Sequence, residues 1–596
     1  MNNDILADGQ QFKFWDDTTK YTRTYHVAQQ HPDASDDNTG TAKLPFATIQ
    51  RAADLAKPGA KIVIHAGTYR ECVRPPRGGT GPDRMIAYEA AEGERVTLRG
   101  SELWKPVARP SQGWNLQKPP APVWMADLPV EKFGGYNPFL LRNTYEHMFC
   151  FGDHKNREWM QRALMRRGMV FCGGQRLQQV YFAWDLARQD GCFWVEEPGQ
   201  RIHFRLPGDA NPEGCELEIT AREQVFAPDD FGLGYIRVSG LSIEHAADCL
   251  PIPQRAALST TRGHHWIIED NRIQWANGCG MDIGLQSWNA EPTGPFGHHV
   301  IRRNHISNCG ICGIAGSRGV EHTLIEDNVL EQIGFHDLER LYECAAIKFH
   351  FARHTLMRRN VIRHIRHAGG IWLDVDNVNN RITGSVFADI STITCAVYSE
   401  MNFEPNLVDH NVFWDIRSED FPTGGGPIPV WGGALRSDCN ESLVAAHNLF
   451  GKVQAHAIAF SLLQSDREGE GGRTGMCREN VAVNNVFVEC PHRIHLGRRE
   501  ENRCDGNLYD RRNPAMSFEI AFPVPPSRQN LTGWQKYCGL DTHSVESDLE
   551  AAFDPDTLVL NWRQVDGPPP ECQSLPIAVT EQVPGPGLLD LRVHDA

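Results

Sequence analysis

Asp270-Asn271-Arg272-Ile273, Arg303-Asn304-His305-Ile306, Asp327-Asn328-Val329-Leu330, Arg359-Asn360-Val361-Ile362, His410-Asn411-Val412-Phe413, His447-Asn448-Leu449-Phe450, Asn484-Asn485-Val486-Phe487 and Gly506-Asn507-Leu508-Tyr509 are degenerate copies of one short pattern. In each, an Asn follows a polar residue or Gly and precedes two apolar or mixed positions. Asn304 and Asn328 lie 24 residues apart and Asn485 and Asn507 lie 22 apart, while the 32 between Asn328 and Asn360 fit one coil plus a loop. Recurrence on this scale marks a solenoid, and short β-type segments with an Asn at each corner point to a right-handed parallel β-helix. Asn suits the corner because it tolerates a left-handed bend and because its amide can stack on the Asn of the next coil.

Outward from the repeat, the chain divides into four stretches. In residues 1–84, Thr48 to Ala56 reads as an amphipathic helix that stops at Lys57-Pro58-Gly59, where Pro and Gly forbid continuation. A solenoid must cover its open end, so this helix is expected to cap the first coil, with Lys61-Ile62-Val63-Ile64-His65 as a coil strand. In residues 85–220 the Asn corners vanish and short alternating segments such as Arg201-Ile202-His203-Phe204-Arg205 lie between Pro and Gly clusters. That pattern predicts an inserted antiparallel β-sandwich. Residues 221–515 are the expected helix core, and the Pro-rich residues 516–596 read as an extended tail. The expected fold class is therefore all-β.

A chain of 596 residues exceeds one compact core, which suits an architecture that grows in one direction. The net charge of −16 argues against a nucleic acid or an anionic membrane as partner, leaving a neutral ligand such as a small carbohydrate. Met1-Asn2-Asn3-Asp4 lacks the basic and apolar regions of a secretory signal, and the 17 Cys form no framework, so the expectation is a cytoplasmic protein with reduced thiols.

Coil geometry selects the candidate chemistry. Asp374, in Gly370-Ile371-Trp372-Leu373-Asp374, and Glu400, in Ala396-Val397-Tyr398-Ser399-Glu400, are 26 residues apart, about one coil. Equivalent positions in stacked coils are roughly 4.8 Å apart, close to the roughly 5–5.5 Å between the carboxyls of a retaining glycosidase. Two neighbouring carboxyls also push their proton affinities apart, so that one serves as acid and the other as nucleophile. The competing reading is that both are ordinary solvated surface carboxylates. Cys309-Gly310-Ile311-Cys312 has no second thiol pair and reads as a structural turn, and the His350/His354 and His364/His367 pairs are expected by chance among 25 His. Asp374-Val375-Asp376 leaves open a calcium-dependent lyase.

Asp36-Asp37-Asn38-Thr39-Gly40-Thr41, Pro45-Phe46-Ala47-Thr48-Ile49, Gly67-Thr68-Tyr69-Arg70-Glu71, Ile347-Lys348-Phe349-His350, Ile371-Trp372-Leu373-Asp374 and Glu400 followed by Leu407-Val408-Asp409-His410-Asn411 resemble the pectate-lyase-like β-helix superfamily. More specifically, they are similar to glycoside hydrolase family 120, whose characterised activity is β-xylosidase. The resemblance covers roughly residues 26–450. It implies Asp374 as nucleophile, Glu400 as acid/base and Glu343 as a carboxylate for sugar hydroxyls, with Tyr342, Lys348, His350 and Trp372 as further substrate-binding positions. It also implies a homo-oligomer, a tetramer or dimer. Tyr342 stands where the family has His, Val375 where it has an aromatic residue, and a Trp walling the family's sugar site is replaced near His147 or Phe151, so chemistry transfers better than sugar identity.

The sequence thus leads to a retaining exo-glycosidase for short neutral glycosides, β-xylosides first, with no cofactor and no metal. The alternatives are another exo-specificity such as an arabinosidase, a polysaccharide lyase or pectinase on the same scaffold, and a non-catalytic carbohydrate-binding β-helix. Against pectinase, the chain lacks the Gly-His-Gly and Arg-Ile-Lys motifs of polygalacturonases. Asp374 and Glu400 must project from neighbouring coils of one sheet, with Glu343 nearby from an earlier coil.

Overall fold

The computed structural model describes residues 4–568 and 570, apart from 115–117, 145–156, 249–253, 288, 423–427, 464–466, 513–515 and 523–524. Three long sheets run the length of the molecule, of 13, 14 and 11 strands, and successive coils add one strand to each. One coil shows the plan: Ile267–Glu269 lies in the first sheet, Arg272–Ala276 in the second and Cys279–Asp282 in the third. Each pairs in parallel with its counterpart one coil on, Val300–Arg302, His305–Cys309 and Cys312–Ser317. The chain is an all-β solenoid, a parallel β-helix.

The repeated Asn stands at the corner between the first and second sheets. Asn328 accepts the backbone N–H of Asn304 at 3.0 Å, donates Nδ2 to the Ile301 carbonyl at 2.9 Å and passes a second bond to Asn360 Oδ1 at 3.0 Å. Asn271, Asn304, Asn411, Asn448 and Asn485 repeat the pattern, Asn507 ends it by donating to Asp541 Oδ1 at 2.8 Å, and Ser385 fills the rung between Asn360 and Asn411. The left-handed bend falls one residue earlier than expected: Asp270, Arg303, Asp327, Arg359, His410 and His447 carry positive φ, from 52° at Arg359 to 57° at Asp270, whereas the ladder Asn residues do not. Asn is therefore used for its amide, which satisfies backbone groups buried at the turn, and the strain of about 1 kcal/mol falls on its neighbour.

Inside the corner, the second apolar position of the motif builds an aromatic column. Phe387, Phe413, Phe450, Phe487 and Tyr509 stack at centroid separations of 4.9, 4.8, 5.1 and 4.8 Å. The helix Ile49–Leu55, capped by the Thr48 side chain, buries Ile49, Ala52 and Ala53 with Ile62 and Ile64 of the first coil. Cys309 and Cys312 are buried free thiols flanking a turn between sheets.

Two boundaries differ from those read in the sequence. Ile86–Ala90 and Val96–Arg99 are coil strands paired with Ile236–Ser239 and Leu241–Ala246, so the insertion spans Ser101–Thr220 rather than beginning at residue 85. It comprises a four-stranded and a five-stranded sheet enclosing Trp104, Phe139, Phe193, Phe204 and Ile219. Residues beyond 515 are not simply an extended tail. Phe518–Ile520 and Val545–Asp554 continue the third and second sheets, and Trp534 stacks on Phe518 at 5.2 Å. The Pro-rich composition masked these strands: Phe518–Ile520 is only three residues long, and a helical turn separates it from Val545–Asp554. Residues 4–16 also run along the first sheet, where Leu6 and Phe12 cluster with Met85, Ile267, Val300, Leu324 and Leu356.

Removing a ladder rung strands buried donors and acceptors at about 1–3 kcal/mol each, so Asn328→Ala is expected to destabilise the chain by about 3 kcal/mol, read as a lower urea midpoint. A second expectation concerns His265, His298, His322 and His354, stacked at 4.5, 5.0 and 4.8 Å along another corner. Burial, reinforced by neighbouring imidazoles, lowers His265 and His322 to about 4. The unfolded chain binds these protons more tightly, so their contribution to stability should be full above about pH 6.5 and be lost toward pH 4. Melting temperature against pH measures it, and His322→Gln should flatten the slope.

Candidate active site

Along the third sheet, alternate residues face inward and outward. In Ala345–His350, Gly369–Asp374 and Cys395–Glu400, residues Ile347, Phe349, Ile371, Leu373 and Val397 enter the core. The intervening residues form two outward columns. One runs Lys348, Trp372, Tyr398, Arg436; the other runs His350, Asp374, Glu400, Asp438, each residue in register with the next. Asp374 and Glu400 are thus direct partners on adjacent parallel strands, both buried.

The two carboxyls have different surroundings. Asp374 Oδ2 accepts from Lys348 Nζ at 2.8 Å and lies 3.1 Å from His350 Nε2, and its Oδ1 lies 3.1 Å from Arg467 Nη2. Glu400 Oε2 accepts the Trp372 indole N–H at 3.0 Å, and its Oε1 contacts Arg467. Burial alone would raise Asp374, but the charges of Lys348, His350 and Arg467 outweigh it and hold the carboxyl well below the usual range. Burial, followed by the charge of Asp374, pushes Glu400 up to about 8, against the opposing pull of Arg467 and Lys348. At neutral pH the arrangement is one carboxylate beside one carboxylic acid.

Glu343 lies on the turn before Ala345–His350, with Oε2 3.4 Å from Lys348 Nζ and 3.5 Å from His350 Nε2. Lys348 sits 3.4 Å above the Trp372 ring, and although burial opposes its charge, the surrounding carboxylates raise its proton affinity. Tyr342 packs within the main apolar cluster. Asp374, Glu400, Glu343, Lys348, His350 and Trp372 are therefore brought together, while the positions at His147 and Phe151 lie outside the described residues.

Five further residues were not anticipated. Asp438 accepts from Arg436 Nη2 at 2.8 Å, Arg436 lies 3.4 Å over Trp431, and Tyr398 packs between Trp372 and Trp431 at 5.0 and 5.4 Å. Asn402 and Asn440 continue a ladder from Asn377 just after these strands, so aligning those Asn residues would have exposed Asp438 as the next member of the column. Arg467 arrives from a long excursion between coils and leaves no periodic signal.

Glu343, His350 and Asp374 could offer three ligand atoms to a metal. The Lys348 ammonium between Asp374 and Glu343, with Arg467 opposite, already neutralises them, which disfavours a cation. His456, His495 and Glu519 also converge, but Glu519 is paired with Arg528 at 2.6 Å. Asp376 follows Val375 with both at positive φ, so the strand ends and Asp374 and Asp376 do not continue one column.

The fold and the column define the class of molecule: a parallel β-helix with an acid and a carboxylate paired in register on one sheet. A family model described as right handed beta helix region matches residues 239–440. Among solved structures, one of XylC in complex with xylose superposes with a TM-score of 0.61 at 23% identity, covering 82% of this chain and 83% of that one. A second, described as a glycoside hydrolase, gives 0.51 at 15% identity and covers 79% and 97%. Among curated proteins, the uncharacterised YwoF of Bacillus subtilis is 33% identical over 72 residues, and pectate lyase PEL9 of Emericella nidulans is 38% identical over 74. Those alignments span 12% of this chain and only 15% and 18% of the two relatives. The likenesses establish the right-handed parallel β-helix. No described helix is long and apolar enough to cross a membrane.

Chemistry that needs Asp374 ionised and Glu400 protonated should show a kcat/KM plateau that extends to low pH and falls above about pH 8. Lys348→Met removes the nearest cation, so it should move the acidic limb upward by about one unit or more. An unmoved limb would show that Lys348 does not set the charge of Asp374.

Proposed function

We propose that this protein is a retaining exo-glycosidase acting on short neutral glycosides, with β-xylosides as its first substrate class. The observation that carries the reading is the in-register Asp374–Glu400 pair with opposite shifts in proton affinity. Adjacent parallel strands separate the two backbones by about 4.8 Å, which suits the short carboxyl spacing of double displacement rather than the roughly 6.5–9.5 Å that single displacement requires.

Glu400 donates its proton to the glycosidic oxygen as Asp374 attacks the anomeric carbon, so the carbon–oxygen bond to the leaving group breaks and a glycosyl ester forms on Asp374. Glu400, now ionised, takes a proton from water; the hydroxide attacks the same carbon and releases Asp374. Trp372 orients Glu400 through its indole N–H. Lys348 and His350 keep Asp374 ionised, and Glu343 beside them is a ligand for sugar hydroxyls. The compensated charges suit an uncharged sugar. The fold likeness to XylC, whose structure holds xylose, and the resemblance to glycoside hydrolase family 120 support the sugar class. Assembly as a tetramer or dimer and a cytoplasmic place for imported oligosaccharides belong to the same reading.

Aryl glycosides test it. Asp374→Ala should lose turnover by more than about 10⁴-fold, since no ester can form. Glu400→Ala should still react with an activated aryl xyloside, then stall until azide replaces the base-activated water and yields a glycosyl azide of retained configuration. Azide rescue of Asp374→Ala with retained configuration, together with rescue of Glu400→Ala with inversion, would exchange the two roles. Loss of less than about tenfold, roughly 1.4 kcal/mol of barrier, in both variants would place the chemistry elsewhere. Abolition by a calcium chelator with an ultraviolet-absorbing unsaturated product would establish a lyase. Failure on every aryl glycoside with retained oligosaccharide affinity would leave a binding module.

A further inference from the structure

The inserted domain carries a cavity of about 540 Å³ that shares no residue with the Asp374–Glu400 site. Three indoles stand among the residues that line it. Trp114 and Trp184 lie with ring centroids 5.3 Å apart and planes at 38°, and Trp184 is 53% exposed. Trp194 is held by its N–H on the Tyr181 carbonyl at 3.0 Å and packs edgewise on His203 at 5.4 Å.

The polar side of the cavity is one connected chain. The Trp114 N–H donates to Ser111 Oγ at 2.7 Å, Ser111 Oγ meets His203 Nδ1 at 2.6 Å, His203 Nε2 meets Glu196 Oε2 at 3.2 Å, and Arg201 approaches Glu196 at 3.5 Å. Arg201 also binds Asp127 at 2.6 Å. Arg109 lies 3.7 Å from the same Asp127, so two arginines face two carboxylates and, among the described residues, these charges are balanced, which favours an uncharged ligand. Large indole faces with an acceptor and a donor side by side match the apolar C–H face and the hydroxyl edge of a pyranose. A cavity of about this volume holds two or three sugar rings. An isolated structural pair would not require Trp184 to stay half exposed, since burying the rest of such a ring is favourable.

We propose that this cavity is a second carbohydrate-binding site, taking a neutral oligosaccharide independently of the catalytic pair. It holds substrate-like chains against the insertion, whichever sugar the catalytic site cleaves, and so extends the reading above without depending on the β-xyloside assignment.

Isothermal titration of full-length Asp374→Ala with xylohexaose, cellohexaose and mannohexaose tests it. At least one should bind at a site that Trp184→Ala, added to the same background, weakens tenfold or more. Trp184→Phe should recover part of that loss, and Glu196→Gln, which leaves the indole walls in place, should weaken binding about fivefold. With the catalytic residues intact, Trp184→Ala should leave kcat and KM on small aryl glycosides within twofold. Binding of all three sugars unaffected by both Trp184→Ala and Glu196→Gln would overturn the proposal, as would a fall in aryl-glycoside turnover that tracks the loss of oligosaccharide binding. Failure of the catalytic reading shows separately, as absent aryl-glycoside turnover with Trp184-dependent binding preserved.

Discussion

Every feature of this molecule depends on stacking identical coils at the spacing of a β-ladder, and the buried Asn ladder is what locks that stacking in register. A turn between sheets leaves backbone N–H and C=O groups pointing into the protein, where an unpaired group costs about 1–3 kcal/mol. Each Asn meets one of each and hands a bond to the next coil. A slip of one residue would break the ladder and turn the core residues outward. Register is therefore specified at the corner, some distance from the third sheet, where chemistry needs it.

On that sheet the same register does the electrostatic work. Asp374 and Glu400 are set side by side by pairing, so they cannot both be comfortably ionised. Which one yields is decided by the preceding coil: Lys348 and His350 lean on Asp374, leaving Glu400 with an indole donor and a neighbouring negative charge. Arg467 touches both carboxyls. Because it comes from an excursion rather than a coil strand, it is the cation whose position the stacking least constrains.

The corner Asn residues made the solenoid legible because their function is periodic, and coil arithmetic reached Asp374 and Glu400 because their function depends on that period. The sequence misassigned the left-handed bend to Asn itself, since Asn is a residue that tolerates it, whereas arginine and histidine one position earlier adopt it under pressure from the ladder. It also placed Ile86–Ala90 in the insertion, because the corner Asn is absent there although the strand pairs as a coil. Asp438 was hidden by the long stretch between Val412–Ser418 and Gly433–Asp438, which lengthens that coil, and Arg467 and the indole cavity are products of loops and sheet packing with no repeat to reveal them.

Double displacement requires that Asp374 become covalently bonded to sugar. Incubation of the intact protein with an activated 2-deoxy-2-fluoro-xyloside, which slows release of the ester more than its formation, followed by mass spectrometry of proteolytic peptides, addresses it directly. A single fluoroxylosyl adduct is expected on the peptide carrying Asp374, released on transfer to a sugar acceptor. An adduct on Glu400, or aryl xyloside turnover with no trapped species at any protein concentration, would contradict it.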